Sequence, residues 1–258
     1  MEWLEKTAGD VLALSDVYPD GHRVPQHRHS RCQLLHARSG VVLVATGQGR
    51  WMVPPGHAMW IPSGVDHSVD MLGTVRMQSV YVNPAVTSGT PNGLRVVALT
   101  DLMRSLIAEA AERAPDTAPD ERDELVMGLI VKEIPRLREL PLGLPLPADP
   151  KLARLCRAFV ERPSPQATID SWASAAGMSR RSFTRAFQRE TGLSLSVWRQ
   201  QACLFAALPR LAEGVPVTGV ALDLGYESVP AFTTMFRRML GAAPRDYFRN
   251  ADAGRENA

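Results

Sequence analysis

The stretch TIDSWASAAGMSRRSFTRAFQRETG, residues 168–192, meets the requirements of two short helices crossing at a tight turn. Such a crossing needs a small residue where the helices touch, a glycine in the turn that accepts positive φ, and an apolar residue on the second helix facing inward. Ala173, Gly177 and Phe183 stand at those places, and Ser179 is set to cap the second helix. The chain then repeats itself. In VTGVALDLGYESVPAFTTMFRRMLG, residues 217–241, Ala221, Gly225 and Phe232 take the same parts, with Ser228 as the cap. AFQRETG at 186–192 aligns with MFRRMLG at 235–241, 49 residues further on. A helical stretch from Leu195 to Ala212 would join the two units at a fixed separation, with Pro209 kinking it or marking its last turn.

Paired helix-turn-helix units suit double-stranded DNA. A helix entering the major groove reads bases from its first turns, where its amide groups and dipole also meet phosphate. On SRRSFTRAF, Arg181, Thr184 and Arg185 share the face opposite Phe183 and Phe187. Arginine bonds both O6 and N7 of guanine, so Arg181 and Arg185 are the expected base readers, with Arg180 and Arg189 on phosphates. The second unit presents Ser228, Val229, Pro230, Thr233 and Thr234 instead. Valine can touch a thymine methyl and threonine a base or phosphate, whereas Arg237 and Arg238, further along, suit the backbone.

Charge follows the same division. The net charge is only +2, yet residues 168 to 249 hold ten Arg, no Lys and six acidic residues, a net of +4 that leaves −2 for the remainder. All six histidines lie between positions 22 and 67. Cys32, Cys156 and Cys203 are odd in number and far apart, which excludes a disulfide framework and a CxxC knuckle, so buried thiols are expected. No apolar run reaches the roughly 18 residues of a membrane helix, and MEWLEKTAGD has no secretion-signal pattern, so no membrane partner and a cytoplasmic location are expected.

From Cys32 to Val82 short β-rich runs, CQLLHA, GVVLVA, RWMV, AMWI, HSVDML and VRMQSVYV, alternate with TGQG, PPG and PSG. That pattern predicts a small antiparallel barrel or sandwich. Trp51, Met59 and Trp60 belong either to its core or to the lining of a pocket for a small apolar effector. His22, His36 and His57 are expected at the surface or rim. Next, Leu99, Leu102, Met103, Leu106 and Ala110, then Leu125, Leu129 and Ile130 after the cap residue Asp120, predict amphipathic helices over 95–110 and 121–140. Their stripes pack either within the chain or against a second copy. PLGLPLPADP, residues 141–150, reads as a semi-rigid linker.

Two resemblances follow from these residues. Gly21, His27, His29, Gln33 and Gly40 match the spacing of the first cupin motif, with Gln33 where Glu is usual, and Gly56, Pro62, Gly64 and His67 match the second. The resemblance implies a cupin-like barrel in which His27, His29, Gln33 and His67 converge on one divalent transition metal or another effector. Thr168 to Arg249, ending in GAAPRDYFR, closely resembles the DNA-binding domain of AraC/XylS-type transcription regulators, with Gly241, Pro244 and Tyr247 at the family's Gly, Pro and Tyr. That resemblance places base contacts at Arg181, Thr184 and Arg185. It also puts arginines on the joining helix where this chain has Gln201, Cys203 and Ala206.

The expected protein is an α+β chain in three parts. They are a cupin-like sensing barrel over 1–90, a helical dimerisation segment and Pro-rich linker over 91–150, and an all-α tandem helix-turn-helix domain over 151–250. The expected function is effector-controlled, sequence-specific transcription regulation without catalysis. DNA, a small-molecule or metal effector, RNA polymerase and a second copy are its expected partners. The alternatives are a metal-responsive regulator using the His cluster and a cupin metalloenzyme with a DNA-binding tail.

Overall fold

A computed structural model describes residues 4, 7, 9–113, 119–163 and 167–247. The last three residues of the expected DNA-binding segment, 248–250, with Phe248 and Arg249 of its terminal signature, lie outside the described residues. The chain divides into two compact units, one of 1–47 and 51–140, the other of 48–50 and 141–258. The middle segment is thus split: its helices belong to the first unit and its proline-rich stretch to the second.

In the first unit an antiparallel sheet runs in the order β1 (Val11–Tyr18), β6 (His67–Val82), β3 (Cys32–Thr46), β5 (His57–Ile61), β7 (Arg95–Ala98) and β8 (Arg138–Leu140), and β2 (Arg23–His27) also pairs with β6. The runs expected as CQLLHA and GVVLVA form one long strand, β3, and HSVDML and VRMQSVYV form β6. Gly40, φ +70°, lies where β3 shifts register against β6, and a Cβ there would meet Val75 Cγ2 at 2.7 Å and the Thr74 carbonyl oxygen at 2.8 Å. Two long strands can bend past one another there because only glycine fits the approach.

The expected helix over 95–110 begins later. RVVA, rich in β-branched residues, pairs with β5 as a strand, and α1 (Asp101–Glu112) starts behind the Thr100 cap, which accepts from Met103 N. Helix α2 (Glu121–Glu133) opens on a capping box between Asp120 and Asp123. It stops short of 140, because Pro135 closes it in a 3-10 turn and Arg138–Leu140 returns to the sheet. Met103, Ile107, Met127, Ile130 and Val131 pack on Cys32, Leu34, Trp60, Val80 and Val82 from one face of the sheet. Trp60 and Met59 are core residues, and the Trp60 indole donates to the Pro91 carbonyl at 2.8 Å.

The second unit is helical: α3 (Pro150–Glu161), α4 (Ile169–Ala175), α5 (Arg180–Thr191), α6 (Leu195–Ala212), α7 (Val217–Asp223) and α8 (Val229–Leu240). Pro209 sits inside α6 near its end. All three cysteines are buried free thiols.

Candidate nucleic-acid interface and sensor site

Both helix-turn-helix units form as their sequences require. Gly177 and Gly225 turn at φ +69° and +76°. Each donates to the carbonyl three residues back, Ser174 and Leu222, and the next amide, Met178 or Tyr226, reaches Ala173 or Ala221. Those alanines are buried at the helix contact, as are Phe183 and Phe232. Ser179 accepts from Ser182 N and Ser228 from Ala231 N, which caps the two reading helices α5 and α8. Glycine and cap are two residues apart in the first unit and three in the second, so the second turn is one residue longer.

On α5 the inward face is Phe183, Ala186 and Phe187, and Arg180, Arg181, Thr184, Arg185 and Arg189 are exposed. Arg180 approaches Asp170 at 3.4 Å and Arg189 approaches Glu190 at 3.4 Å. No ion pair holds Arg181 or Arg185 among the described residues, so both guanidiniums remain available to DNA. Thr184 donates its hydroxyl to the Arg180 carbonyl at 2.8 Å and so offers outward a methyl and an acceptor. On α8, Pro230, Thr234, Arg237 and Arg238 are exposed, whereas Val229 and Thr233 are half-buried. Arg238 donates to Gln200 Oε1 of α6 at 2.7 Å, a contact unannounced by the sequence that ties the second reading helix to the joining helix.

How the units are held in register is also visible. At its start α6 gives Leu195, Trp198, Ala202 and Cys203 to the core of the first helix-turn-helix, with Phe159, Trp172, Phe183 and Phe187. Its buried face continues through Leu204, Ala207, Leu208 and Leu211 towards α7. Apolar packing runs along the helix where the resemblance puts arginines: Gln201 and Cys203 are buried in it and Ala206 is half-buried.

The candidate effector site lies in the first unit. His27 and His67 face each other in register across β2 and β6, and His29 follows two residues on. Their ring centroids are separated by 4.2 Å for His27 and His67, 5.2 Å for His29 and His67 and 6.1 Å for His27 and His29. One ligand atom from each lies within 4.8 Å of the others. In every ring Nδ1 meets a backbone oxygen: Pro25 at 2.8 Å, Arg31 at 2.6 Å and Val65 at 2.8 Å respectively. A carbonyl can only accept, so neutral His27 and His67 keep the proton on Nδ1 and the lone pair on Nε2, whereas His29 has an acceptor at each ring nitrogen, the Arg31 carbonyl at Nδ1 and Gln33 Oε1 at Nε2.

Gln33 lies beside them, its Oε1 3.2 Å from His29 Nε2, and its amide nitrogen donates to Ser79 Oγ at 2.9 Å and the Tyr81 hydroxyl at 3.2 Å. Ser79 and Tyr81 emerge only from the strand register, where they oppose Leu35 and Gln33. Burial pushes His67 down to about 4, against the pull of its bond to Val65, and raises Tyr81 to about 12.

His22 is exposed and His57 half-buried, within the surface or rim position expected, but His36 differs. His36 is buried on the sheet face under α1, with Nδ1 3.3 Å from Gln78 Oε1. The alternation of β3 turns Gln33 and His36 to opposite faces, so His36 does not join the cluster, while His57 stands opposite Ala37, four residues along β3 from Gln33, with its Nδ1 2.9 Å from the Pro55 carbonyl oxygen.

Comparison with known proteins agrees with both units. The family model for a helix-turn-helix domain matches residues 172–250 and that for an AraC-like ligand binding domain matches 11–130. The HTH-type transcriptional regulator NimR of Escherichia coli K12 is 32% identical over 223 residues, covering 86% of this chain and 81% of that protein. RipA, an HTH-type transcriptional regulator of Corynebacterium glutamicum, is 34% identical over 105 residues, 40% of this chain and 31% of that protein. Among solved structures, the DNA-binding domain of AdpA in complex with a target DNA matches at 30% identity and TM-score 0.38, covering 42% of this chain and 98% of that one. ToxT from Vibrio cholerae matches at 10% identity and TM-score 0.37, covering 93% and 98%. Two domain matches in the expected order, and a regulator aligned along most of both chains, place this chain in the AraC-type family of helix-turn-helix transcription regulators rather than among cupin enzymes.

Proposed function

We propose that the chain acts in the cytoplasm as a dimeric regulator whose first reading helix recognises the operator sequence and whose second mainly grips the backbone, under control of a ligand in the N-terminal barrel. The observation that carries the division of labour is the contrast between the exposed faces of the helices. Among the described residues Arg181 and Arg185 have no ion pair on α5, while α8 offers Pro230 and Thr234 and commits Arg238 to Gln200. Guanidiniums carry bidentate guanine readout, and threonine and valine favour methyl contacts and groove shape. Binding-site selection tests it. Arg181→Ala and Arg185→Ala each cost about 1–3 kcal/mol and blur one position of the preferred site. Arg237→Ala weakens binding to all sequences and flattens its salt dependence. A preferred sequence left intact by the α5 changes, or rewritten by Arg237→Ala, would refute the assignment. RNA polymerase is the partner through which a bound regulator would act on transcription.

Dimerisation has its own support. Met103, Ile107 and Ala110 of α1 are buried and Leu106 is partly so, but Leu102 stays 49% exposed, as do Leu125 (69%) and Leu129 (40%) of α2. Leu102 and Glu109 lie two turns apart on one stripe of α1, and Arg122, Leu125 and Leu129 share a stripe of α2. The Glu109–Arg122 ion pair joins those stripes, so the three leucines border one face of the helix pair. Two copies meeting there would double the length of DNA read. Leu102→Glu with Leu125→Glu should leave thermal unfolding nearly unchanged and shift sedimentation at micromolar concentration from dimer to monomer. A wild-type monomer, with and without DNA, would defeat the dimer.

A further inference from the structure

We propose that Arg199 and Ser196 of the joining helix α6 form a seat for one DNA backbone phosphate, between the two stretches of major groove that α5 and α8 enter. This rests on the reading of the helical unit as the DNA-binding domain. Three observations converge. Arg199 and Ser196 line two grooves at once, one beside α5 with Arg180 and Thr184, the other beside α8 with Thr234 and Arg238. They therefore stand on the strip of α6 that separates the two reading faces, three residues apart and so on one side of the helix. Second, no Asp or Glu lines either groove among the described residues, whereas three guanidiniums do, those of Arg180, Arg199 and Arg238. Third, Arg199 is half-buried and lies over the Phe159 ring, its Cζ 5.4 Å from the centroid, so its guanidinium is positioned before DNA arrives.

The shape of the duplex supplies the occupant. Two helices that enter neighbouring stretches of major groove on one side of DNA, about 34 Å apart along its axis, are separated by the minor groove and the two backbones that border it. Whatever the protein places between its reading helices meets those phosphates, and here that is the strip with Ser196 and Arg199. A guanidinium and a hydroxyl together give charge-assisted bonds to one phosphate, and the packing of Arg199 on Phe159 thins the water that would screen them. Such a contact carries no base information. It fixes the register of the two units on the duplex, a part distinct from the base reading given to Arg181 and Arg185.

The test uses the full-length protein and the operator duplex returned by binding-site selection. Each backbone phosphate in turn is replaced by an uncharged methylphosphonate, and affinity for the unmodified duplex is measured across a salt series. For the parent, neutralising a phosphate that borders the minor groove between the two contacted stretches should cost about tenfold, the loss of one charge-assisted bond. Arg199→Met keeps an apolar stem over Phe159 and removes the charge. It should be indifferent at that phosphate, keep the parent's preferred sequence and reduce the slope of log affinity against log salt by about 0.9. Arg199→Lys should restore the slope, which packing alone would not do. A Met variant with the parent's slope, or with the parent's loss at the same phosphate, overturns the seat. So does a parent indifferent to every phosphate between the two stretches, even where its sequence-selective binding stands. A chain that binds no duplex defeats the regulator reading together with the seat. Titration with inorganic phosphate covers the other source of the same anion: Arg199-dependent uptake of free phosphate beside a silent methylphosphonate scan assigns the grooves to a soluble anion and overturns the DNA seat.

Discussion

Trp198→Ala is expected to destabilise the DNA-binding unit by about 3–5 kcal/mol and to abolish operator binding near physiological temperature. Trp198 is completely buried in the first turn of α6, where three elements meet on its ring. Its centroid lies 6.0 Å from Phe159 of α3, 6.1 Å from Trp172 of α4 and 6.0 Å from Phe187 of α5, in tilted or edge-on contacts. Its indole N–H donates to the Pro145 carbonyl at 2.7 Å. Truncation to alanine removes a large apolar volume from a site whose walls belong to separate helices, so collapse would misplace α5, the helix carrying Arg181 and Arg185. Trp198→Phe keeps most of the ring packing and forfeits the hydrogen bond, a loss of about 1 kcal/mol. Chemical denaturation of the three proteins, with operator affinity measured in parallel, decides the matter. An alanine variant as stable as the parent would mean that the aromatic cluster is not what holds the reading helix.

The DNA-binding half was legible because its constraints are local. A small residue, a turn glycine, a cap and an inward phenylalanine specify a helix-turn-helix within 25 residues, and each was found in its part, down to the Ser179 and Ser228 caps. The joining helix was legible as a helix but not as a clamp: Gln200 reaching Arg238 depends on how α8 packs, which no spacing within α6 encodes. In the barrel the failures are those of non-local pairing. Ser79 and Tyr81 support Gln33 only because β6 lies against β3 in one register, 46 to 48 residues away. RVVA reads as the first turn of the helix expected over 95–110 until β5 and β8 claim it from either side. Leu102, Leu125 and Leu129 entered the apolar stripes on spacing alone, and only the packed hairpin turns them outward. The histidines show both cases. The cluster at 27, 29 and 67 follows from motif spacing, whereas the burial of His36 follows from a helix laid over its strand.

That burial leads to the last expectation: the N-terminal unit should lose stability as pH falls from about 6.5 to about 4, and His36 should account for much of the loss. His36 is 3% exposed, faces Gln78 of β6 through Nδ1 and leaves Nε2 without a partner. Burial lowers it to about 4, and the cationic neighbours Arg38, Arg104 of α1 and His57 of β5 act in the same direction, while the bond to Gln78 opposes them. Above 6.5 the imidazole is neutral both folded and unfolded, and it contributes no slope. Between 6.5 and 4 the unfolded chain takes up a proton that the folded chain refuses, so the folded state loses about 1.4 kcal/mol per pH unit, on the order of 3 kcal/mol over the window. Below 4 both states are protonated and the loss stops growing. His67, which burial also lowers to about 4, adds a slope of comparable size over the same window, and His57, lowered mainly by burial, adds one of the same sign. His36→Asn keeps a donor near Gln78 and cannot titrate, so its unfolding free energy should fall less steeply through this window, even if its stability at pH 7 is lower because of the smaller side chain. Parallel pH profiles for parent and variant would contradict the argument, because the proton refused by the folded state would then belong to some other group.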